Sequence, residues 1–294
     1  MWNFTCLLVN LLFDFEDKAI TELAEVTCDI CGSSESVELL ALHGSAYHQC
    51  TTCGLVYAKW VAVDYGDINE KAFAAEIDDY AAKIKARNTR YRKKLKMFDR
   101  YRADGNFLEI GCNAGAVLVA ARDNGWNAKG VDISGTASGY AREKNDLDVH
   151  TGTIETASYP DNFFDVIYSN ATLEHIQHPL STIKECRRVL KPGGVLYVCT
   201  VAWDCYTREI LGEDWLLLHP THHIHLYTPD NIRSLCGYSG MKVVKIWTTG
   251  ARVKANAVGS AFKTSWYLNL MKGPLSMMTR FTKKGDSIYF LATK

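Results

Sequence analysis

The sequence carries no net charge: 33 Lys and Arg residues balance 33 Asp and Glu residues over 294 positions. No global field draws such a chain to nucleic acid or to an anionic membrane, so no stable nucleic-acid complex is expected. Long apolar runs are missing as well. The apolar start, Met1 to Phe13, has no Lys or Arg before Lys18 and falls short of the ~20 apolar residues that cross a bilayer. A signal peptide and a transmembrane segment are both excluded as expectations. Residues 1–25 are read instead as a short helix or leader, with residues 1–13 a candidate for peripheral membrane or partner contact. Internal repeats and low-complexity tracts are also absent, which excludes a solenoid.

What the chain does have is apolar content and cysteine. Hydrophobic residues make up 47% of it, ample for a buried core, and the length suggests about two domains. Ten cysteines could suggest a secreted disulfide framework, but four of them stand in paired C-x-x-C spacing. Cys28-Asp-Ile-Cys31 and Cys50-Thr-Thr-Cys53 are separated by eighteen residues, the spacing of a structural zinc site in a reducing compartment. A cytoplasmic location follows as an expectation. Gly32 and Gly54 follow the two pairs and permit the tight turns. A ribbon over 26–58 cannot bury enough surface alone, so metal would supply its folding energy.

Residues 59–103 read as a helical connector. Tyr80, Ile84, Tyr91, Leu95 and Phe98 are spaced for one helix face. The other face is basic and includes Lys83, Lys85, Arg90, Lys93 and Lys94; such a run is usually a solvated surface. From 104 to 201 strands and helices alternate, with strands near 106–110, 127–132, 147–151, 163–168 and 194–200. This predicts an α/β fold on a parallel sheet. Pro192-Gly-Gly is expected to end the helix near 178–190. After residue 201 the pattern breaks into an aromatic- and histidine-rich insertion (202–227), a helix near 229–239, a strand near 241–248, a second insertion (250–284) and a last strand at 287–293.

The most informative stretch is Phe107-Leu-Glu-Ile-Gly-Cys-Asn-Ala-Gly115: a buried strand, a glycine turn and the start of a helix. That arrangement offers backbone N–H groups to a ligand. Asp132 ends the next strand, 21 positions after Gly111, where a carboxylate can accept from ribose hydroxyls. Asn113 stands where a dinucleotide fingerprint needs glycine, so the site suits a nucleoside without a pyrophosphate. Glu109 adds a carboxylate that a cofactor with an ammonium group can use.

These segments resemble the class I S-adenosylmethionine-dependent methyltransferases, in particular the small-molecule branch of the ubiquinone-biosynthesis type. Gly130-Val-Asp132, Asn162-Phe-Phe-Asp-Val-Ile167, Leu173-Glu-His175 and Arg188-Val-Leu-Lys-Pro-Gly-Gly194 follow the glycine turn in the family's order. The resemblance implies a Rossmann-like, seven-stranded, mostly parallel sheet with helices on both faces, occupying 104–294. It places Glu109, Gly111, Asn113 and Gly115 at the methionine end of S-adenosylmethionine, Asp132 on the ribose and Ile133 on the adenine. Thr153 and Ile154 would meet the adenine edge, and Asn170 would close the pocket. Methyl transfer needs alignment and at most a proton acceptor. His175 and His225 are the candidate bases. The expected acceptor is a small molecule: a sugar, glycan precursor, lipid-linked intermediate or secondary metabolite. Two alternatives stay open, an RNA or protein methyltransferase gripping its substrate through the ribbon, and a non-catalytic binding module on the same fold.

Overall fold

The computed structural model describes residues 23–42, 45–62, 70, 77, 82, 84–251, 273–279 and 281–294. The expectations for residues 1–22, for Tyr80 and for most of the 250–284 insertion lie outside the described residues. Residues 23–25 form a strand, β1 (Leu23–Glu25), rather than part of a leading helix.

Three strands follow in the cysteine-rich region: β2 (Ser36–Leu42), β3 (Ser45–Cys50) and β4 (Val56–Ala58). A short β5 (Trp60–Ala62) pairs antiparallel with β1. Residues 84–95 form helix α1 and run into a 3₁₀ turn at Lys96–Tyr101. Its expected apolar face is largely inside: Ile84, Leu95 and Phe98 are buried. Lys94 departs from expectation. It is only 8% exposed, and its ammonium donates to the Tyr168 hydroxyl at 2.8 Å. It also lies over the Tyr168 and Tyr197 rings, which stack at 4.9 Å.

The alternating region then builds β6 (Asn106–Ile110), α2 (Ala116–Asp123), β7 (Asn127–Asp132), α3 (Gly135–Asn145), β8 (Asp148–Thr151), β9 (Phe164–Asn170), α4 (Pro179–Val189) and β10 (Leu190–Val201). After it come α5 (Tyr206–Leu211), β11 (His225–Leu226), α6 (Pro229–Tyr238), β12 (Lys242–Thr249) and β13 (Ser287–Thr293). Thr228 caps α6 in a reciprocal capping box with Asn231. Pro192-Gly193-Gly194 does not end α4. The helix stops at Val189, and the Pro-Gly-Gly run forms an irregularity at the start of β10, between Leu190 and Val195. Gly194 is required there, because a Cβ would lie 2.9 Å from the Asp165 carbonyl oxygen.

The seven-stranded sheet has the order β12-β13-β10-β9-β6-β7-β8. Its five strands from β10 to β8 run parallel; β13 is antiparallel to both neighbours. One face buries Leu108, Ile167 and Leu196 under α4 and α6, while the other buries Phe107, Tyr168 and Tyr197 under α1 and α2. Strand order reverses between β6 and β9, so the crevice of this sheet opens at their carboxyl ends.

The ribbon is not a free appendage. Its sheet has the order β11-β4-β3-β2, so a strand of the 202–227 insertion completes it. Cys28, Ile30, Tyr47, Leu55 and Tyr57 share one apolar cluster with Trp215, Leu217, Tyr227 and Ile232. Polar ties reinforce the joint. The Leu180 N–H donates to Asp29 at 2.7 Å, and Asn231 donates to the Cys53 carbonyl at 2.9 Å. Among the described residues no helix is long and apolar enough to cross a membrane.

Candidate active site and metal centre

The glycine turn sits at the switch point between β6 and β9. Gly111 has φ 70°, and a Cβ there would lie 2.3 Å from Thr172 Oγ1, on the segment that leaves β9. Gly115 has φ 86° and its Cβ would meet Leu147 at 2.2 Å. Both glycines are therefore needed for backbone conformation and for close approach. Gly111→Ala is expected to destabilise by roughly 1–3 kcal/mol from the left-handed backbone alone, with a further steric term. Thermal unfolding of that variant checks it; a wild-type melting temperature would count against the geometry.

Asn113 replaces a glycine yet does its work. Its φ is 48°, a left-handed conformation that asparagine tolerates better than most residues, and its side chain accepts from the Ala114 N–H. Asp132 is buried, and its carboxylate accepts from Asn113 N–H at 2.7 Å and from Ser134 N–H at 3.0 Å. It thus fixes the glycine turn as well as presenting oxygens to a ligand. Burial holds its pKa above the ordinary carboxylate value, against the pull of those two N–H groups.

Glu109 is equally buried, 5% exposed like Asp132, with Oε2 lacking a hydrogen-bond partner. Burial, and then the Asp132 charge, raise its pKa well above the ordinary range, opposed by Lys94. Lys94 is the residue that pattern reasoning missed: ten basic residues in one helix face gave no sign that one of them points inward. Ile133 is 48% exposed between buried Asp132 and Ser134, a bare apolar surface beside the carboxylate. Ile154 is buried and Thr153 exposed, with the Thr153 N–H bonded to Thr156 at 3.0 Å. Asn170 ends β9, half-buried, opposite Cys199 of β10.

The two candidate bases differ in setting. His175 follows β9, with Nδ1 bonded to the His222 carbonyl at 2.7 Å and its ring 4.9 Å from that of His223. His225 is buried on β11, opposite Tyr57 of the ribbon, and its Nδ1 has no partner. Burial pushes both imidazoles down to about 4. Each is therefore neutral throughout the range in which a base of ordinary histidine pKa would titrate. If either serves as base, the acid limb of the pH–rate profile should fall near pH 4, not near 6.5. A limb at 6.5 would assign the base elsewhere.

A carboxylate missing from the sequence neighbourhood of the histidine cluster is supplied across space. Glu174 is buried and accepts from Thr200 at 2.8 Å. Its oxygen and the imidazole nitrogens of His175 and His223 lie within 4.8 Å of one another, a donor set able to hold a divalent cation or a protic acceptor.

The four cysteines converge as their spacing implied. Cys28 and Cys53 sulfurs are 3.4 Å apart, Cys31 and Cys50 sulfurs 3.5 Å, and all four lie within 4.8 Å. Sulfur contacts of this length are far longer than a disulfide bond and close to the edge of a tetrahedron with metal–sulfur bonds of about 2.3 Å. Gly32 and Gly54 have φ 72° and 73° and donate to the Cys28 and Cys50 carbonyls, closing each knuckle. Although burial opposes it, N–H groups of Cys53 and Thr52 help bring the Cys50 thiol down to about 7.

A cleft of about 410 Å³ lined by Arg92, Lys96, Asp99, Arg102, Asp123 and Asn124 lies at the far end of α2 from the glycine turn. Its basic groups share it with two aspartates, so it adds nothing to the site at the switch point.

Comparison with known proteins agrees with this geometry. The family described as methyltransferase domain matches residues 80–246, more than half of the chain. Two curated relatives are ubiquinone biosynthesis O-methyltransferases. That of Azoarcus sp. is 26% identical over 152 residues, covering 47% of this chain and 65% of its own length. That of Maricaulis maris is 30% identical over 148 residues, covering 46% and 58%. The chain thus matches somewhat under two thirds of these relatives. Among solved structures, an S-adenosylmethionine-dependent methyltransferase from Archaeoglobus fulgidus superposes with a TM-score of 0.51 at 18% identity, covering 73% of this chain and 99% of that one. A chain from the Haloferax volcanii complex of the Trm112 activator with a methyltransferase gives 0.52 at 20% identity, covering 74% and 96%. The fold order, the glycine turn and the family match lead to one conclusion: the chain belongs to the class I S-adenosylmethionine-dependent methyltransferase family.

Proposed function

We propose that this protein transfers a methyl group from S-adenosylmethionine to a small-molecule acceptor held beneath residues 202–227. The observation that carries the cofactor assignment is the unpartnered Glu109 oxygen, buried beside a glycine turn in which side chains cannot fit. An ammonium group satisfies that oxygen. Asp132 keeps lone pairs for ribose hydroxyls beyond the two N–H groups it accepts, and Ile133 offers an apolar face to adenine. Gly111, Asn113 and Gly115 leave room for the methionine end, Thr153 and Ile154 border the adenine, and Asn170 closes the pocket. When bound, the cofactor supplies an electrophilic methyl group on a sulfonium.

The protein's part is then alignment, exclusion of water and removal of a proton. Trp215, Leu217 and Leu218, buried in the segment after β10, pack in the core it shares with the ribbon and anchor it there. His175, at the carboxyl end of β9, is favoured over His225 as proton acceptor because His225 is enclosed between β4 and Tyr227. The relatives named for ubiquinone biosynthesis support an acceptor of small-molecule class; a sugar, a glycan precursor, a lipid-linked intermediate and a secondary metabolite all fit it. The four cysteines hold one structural zinc, since four protein ligands leave no open position for water. The division into ribbon (26–58), connector (59–103) and methyltransferase part (104–294) describes these roles.

Two measurements test this. Calorimetry should give micromolar affinity for S-adenosylhomocysteine and none for NAD. With the acceptor found by radiolabel transfer into a small-molecule extract, His175→Gln should lower turnover about 100-fold or more with cofactor affinity kept. Wild-type turnover in that variant would remove His175 from the chemistry, and label entering RNA or protein instead would replace the acceptor class.

A further inference from the structure

One side chain of the ribbon reaches the histidine loop. Tyr47 of β3 is fully buried, and its hydroxyl donates to the His223 carbonyl at 2.7 Å. The same oxygen accepts from the His219 N–H at 3.2 Å. It therefore clamps both ends of the turn in which the His222 and His223 N–H groups donate to the His219 carbonyl. The adjoining backbone is pinned too, because the Ala58 N–H donates to the Ile224 carbonyl and β4 pairs with β11.

That turn sets two imidazoles. The His222 carbonyl accepts from Nδ1 of His175 at 2.7 Å, and Nδ1 of His223 donates to the Leu217 carbonyl at 2.8 Å. A carbonyl partner at Nδ1 holds the proton on that nitrogen and so fixes the tautomer. The two rings lie 4.9 Å apart, and each has a nitrogen within 4.8 Å of a Glu174 carboxylate oxygen. The end of β3 is in turn Cys50, one of the four converging cysteines. A continuous path runs from the four-cysteine centre through β3, Tyr47 and the His219–His223 turn to the histidine that follows β9.

We propose that Tyr47 is a positioning residue: through it the metal-bound ribbon fixes the ring orientation and tautomer of His175 and His223 in the acceptor pocket, independently of cofactor binding. This rests on the reading that residues 202–227 cover the acceptor. The ribbon would then be a scaffold for acceptor chemistry rather than a grip for a macromolecule. The cofactor groups, Glu109, Gly111 and Asp132, belong instead to β6, β7 and their turns, where Asp132 accepts from Asn113 and Ser134.

The test uses the full zinc-loaded chain, with histidine ring nitrogens followed by ¹⁵N NMR and cofactor-site integrity by S-adenosylhomocysteine calorimetry. In the wild type both rings should show the Nδ1–H tautomer. Tyr47→Phe keeps the ring and removes both hydrogen bonds. It should shift or broaden the His175 and His223 signals while cofactor affinity stays within about twofold. Asp29→Ala, which removes the acceptor of the Leu180 N–H and so loosens the ribbon from α4 instead, should leave both rings as in the wild type. Unchanged ring spectra in Tyr47→Phe would overturn the proposal, as would a parallel loss of cofactor binding, which would signal general loosening. If Tyr47→Phe does not fold, stepwise chelation of zinc from the wild type decides. Ring signals that follow the metal while S-adenosylhomocysteine remains bound support the path, and signals that persist until the chain unfolds refute it. The ring readout stands apart from the acceptor reading, whose failure would appear as wild-type turnover in His175→Gln.

Discussion

Cys50→Ser will release the ribbon metal and lower the melting temperature of the whole chain by roughly 10 °C or more. The size follows from two terms. Structural zinc sites of this kind contribute apparent binding energies of about 10–16 kcal/mol to the folding of small domains, so losing one thiolate removes several kcal/mol. At about 2–4 °C per kcal/mol for chains near this size, that loss becomes a shift of the stated order. The second term is the shared core. Cys28, Tyr47, Cys50 and Leu55 pack in the same cluster as Trp215, Tyr227 and Leu235. A ribbon that unfolds therefore strips contacts from the insertion and from α6 as well. Elemental analysis should give one zinc per wild-type chain and none in the variant. A metal-free Cys50→Ser chain that melts with the wild type would show that the cysteines are ordinary buried thiols.

The local patterns in the sequence were sufficient for most of this fold. Strand–turn–helix at 107–115, the alternating elements to residue 201 and the paired C-x-x-C knuckles each rest on residues close together in the chain, and they form as expected except that Pro192-Gly193-Gly194 lies inside β10 instead of ending α4. Long-range placement was not legible. Nothing in Val56-Tyr57 announces that it pairs with His225-Leu226, because a short edge ladder carries no local periodicity. Lys94 lay hidden in a basic run because its burial depends on Tyr168 and Tyr197, some 74 residues or more away in sequence. Glu174 meets His223 for the same kind of reason: its neighbours come from an insertion that only tertiary structure folds back over β9. Asn113 was legible as a departure from glycine, but its left-handed backbone was not.

Asp132→Ala will weaken S-adenosylhomocysteine binding about 100-fold, the upper end of what the loss of the ribose contact alone accounts for. A hydrogen bond to a charged group contributes about 1.5–3 kcal/mol, which is roughly 10- to 100-fold in affinity. Asp132 has a second duty, however. Its carboxylate receives the N–H groups of Asn113 and Ser134, and alanine leaves both donors without that partner. The glycine turn then relaxes, and Gly111 and Asn113, held in left-handed conformations, lose the anchor that keeps them there. Asp132→Asn separates the two duties. Its amide oxygen can still accept one N–H group, while its NH₂ faces the other donor, so an intermediate loss of about tenfold is expected. The pH dependence has a definite sign. Burial raises the Asp132 pKa in the folded protein, so the proton returns above the ordinary carboxylate range. Protonation removes an acceptor from the ribose site, and affinity should therefore fall as the pH is lowered, starting above the range of an exposed aspartate. Calorimetry across pH 4–8 on the wild type and both variants measures all three effects. Equal affinity in wild type and Asp132→Ala would detach this carboxylate from the cofactor, leaving it only as the brace of the glycine turn.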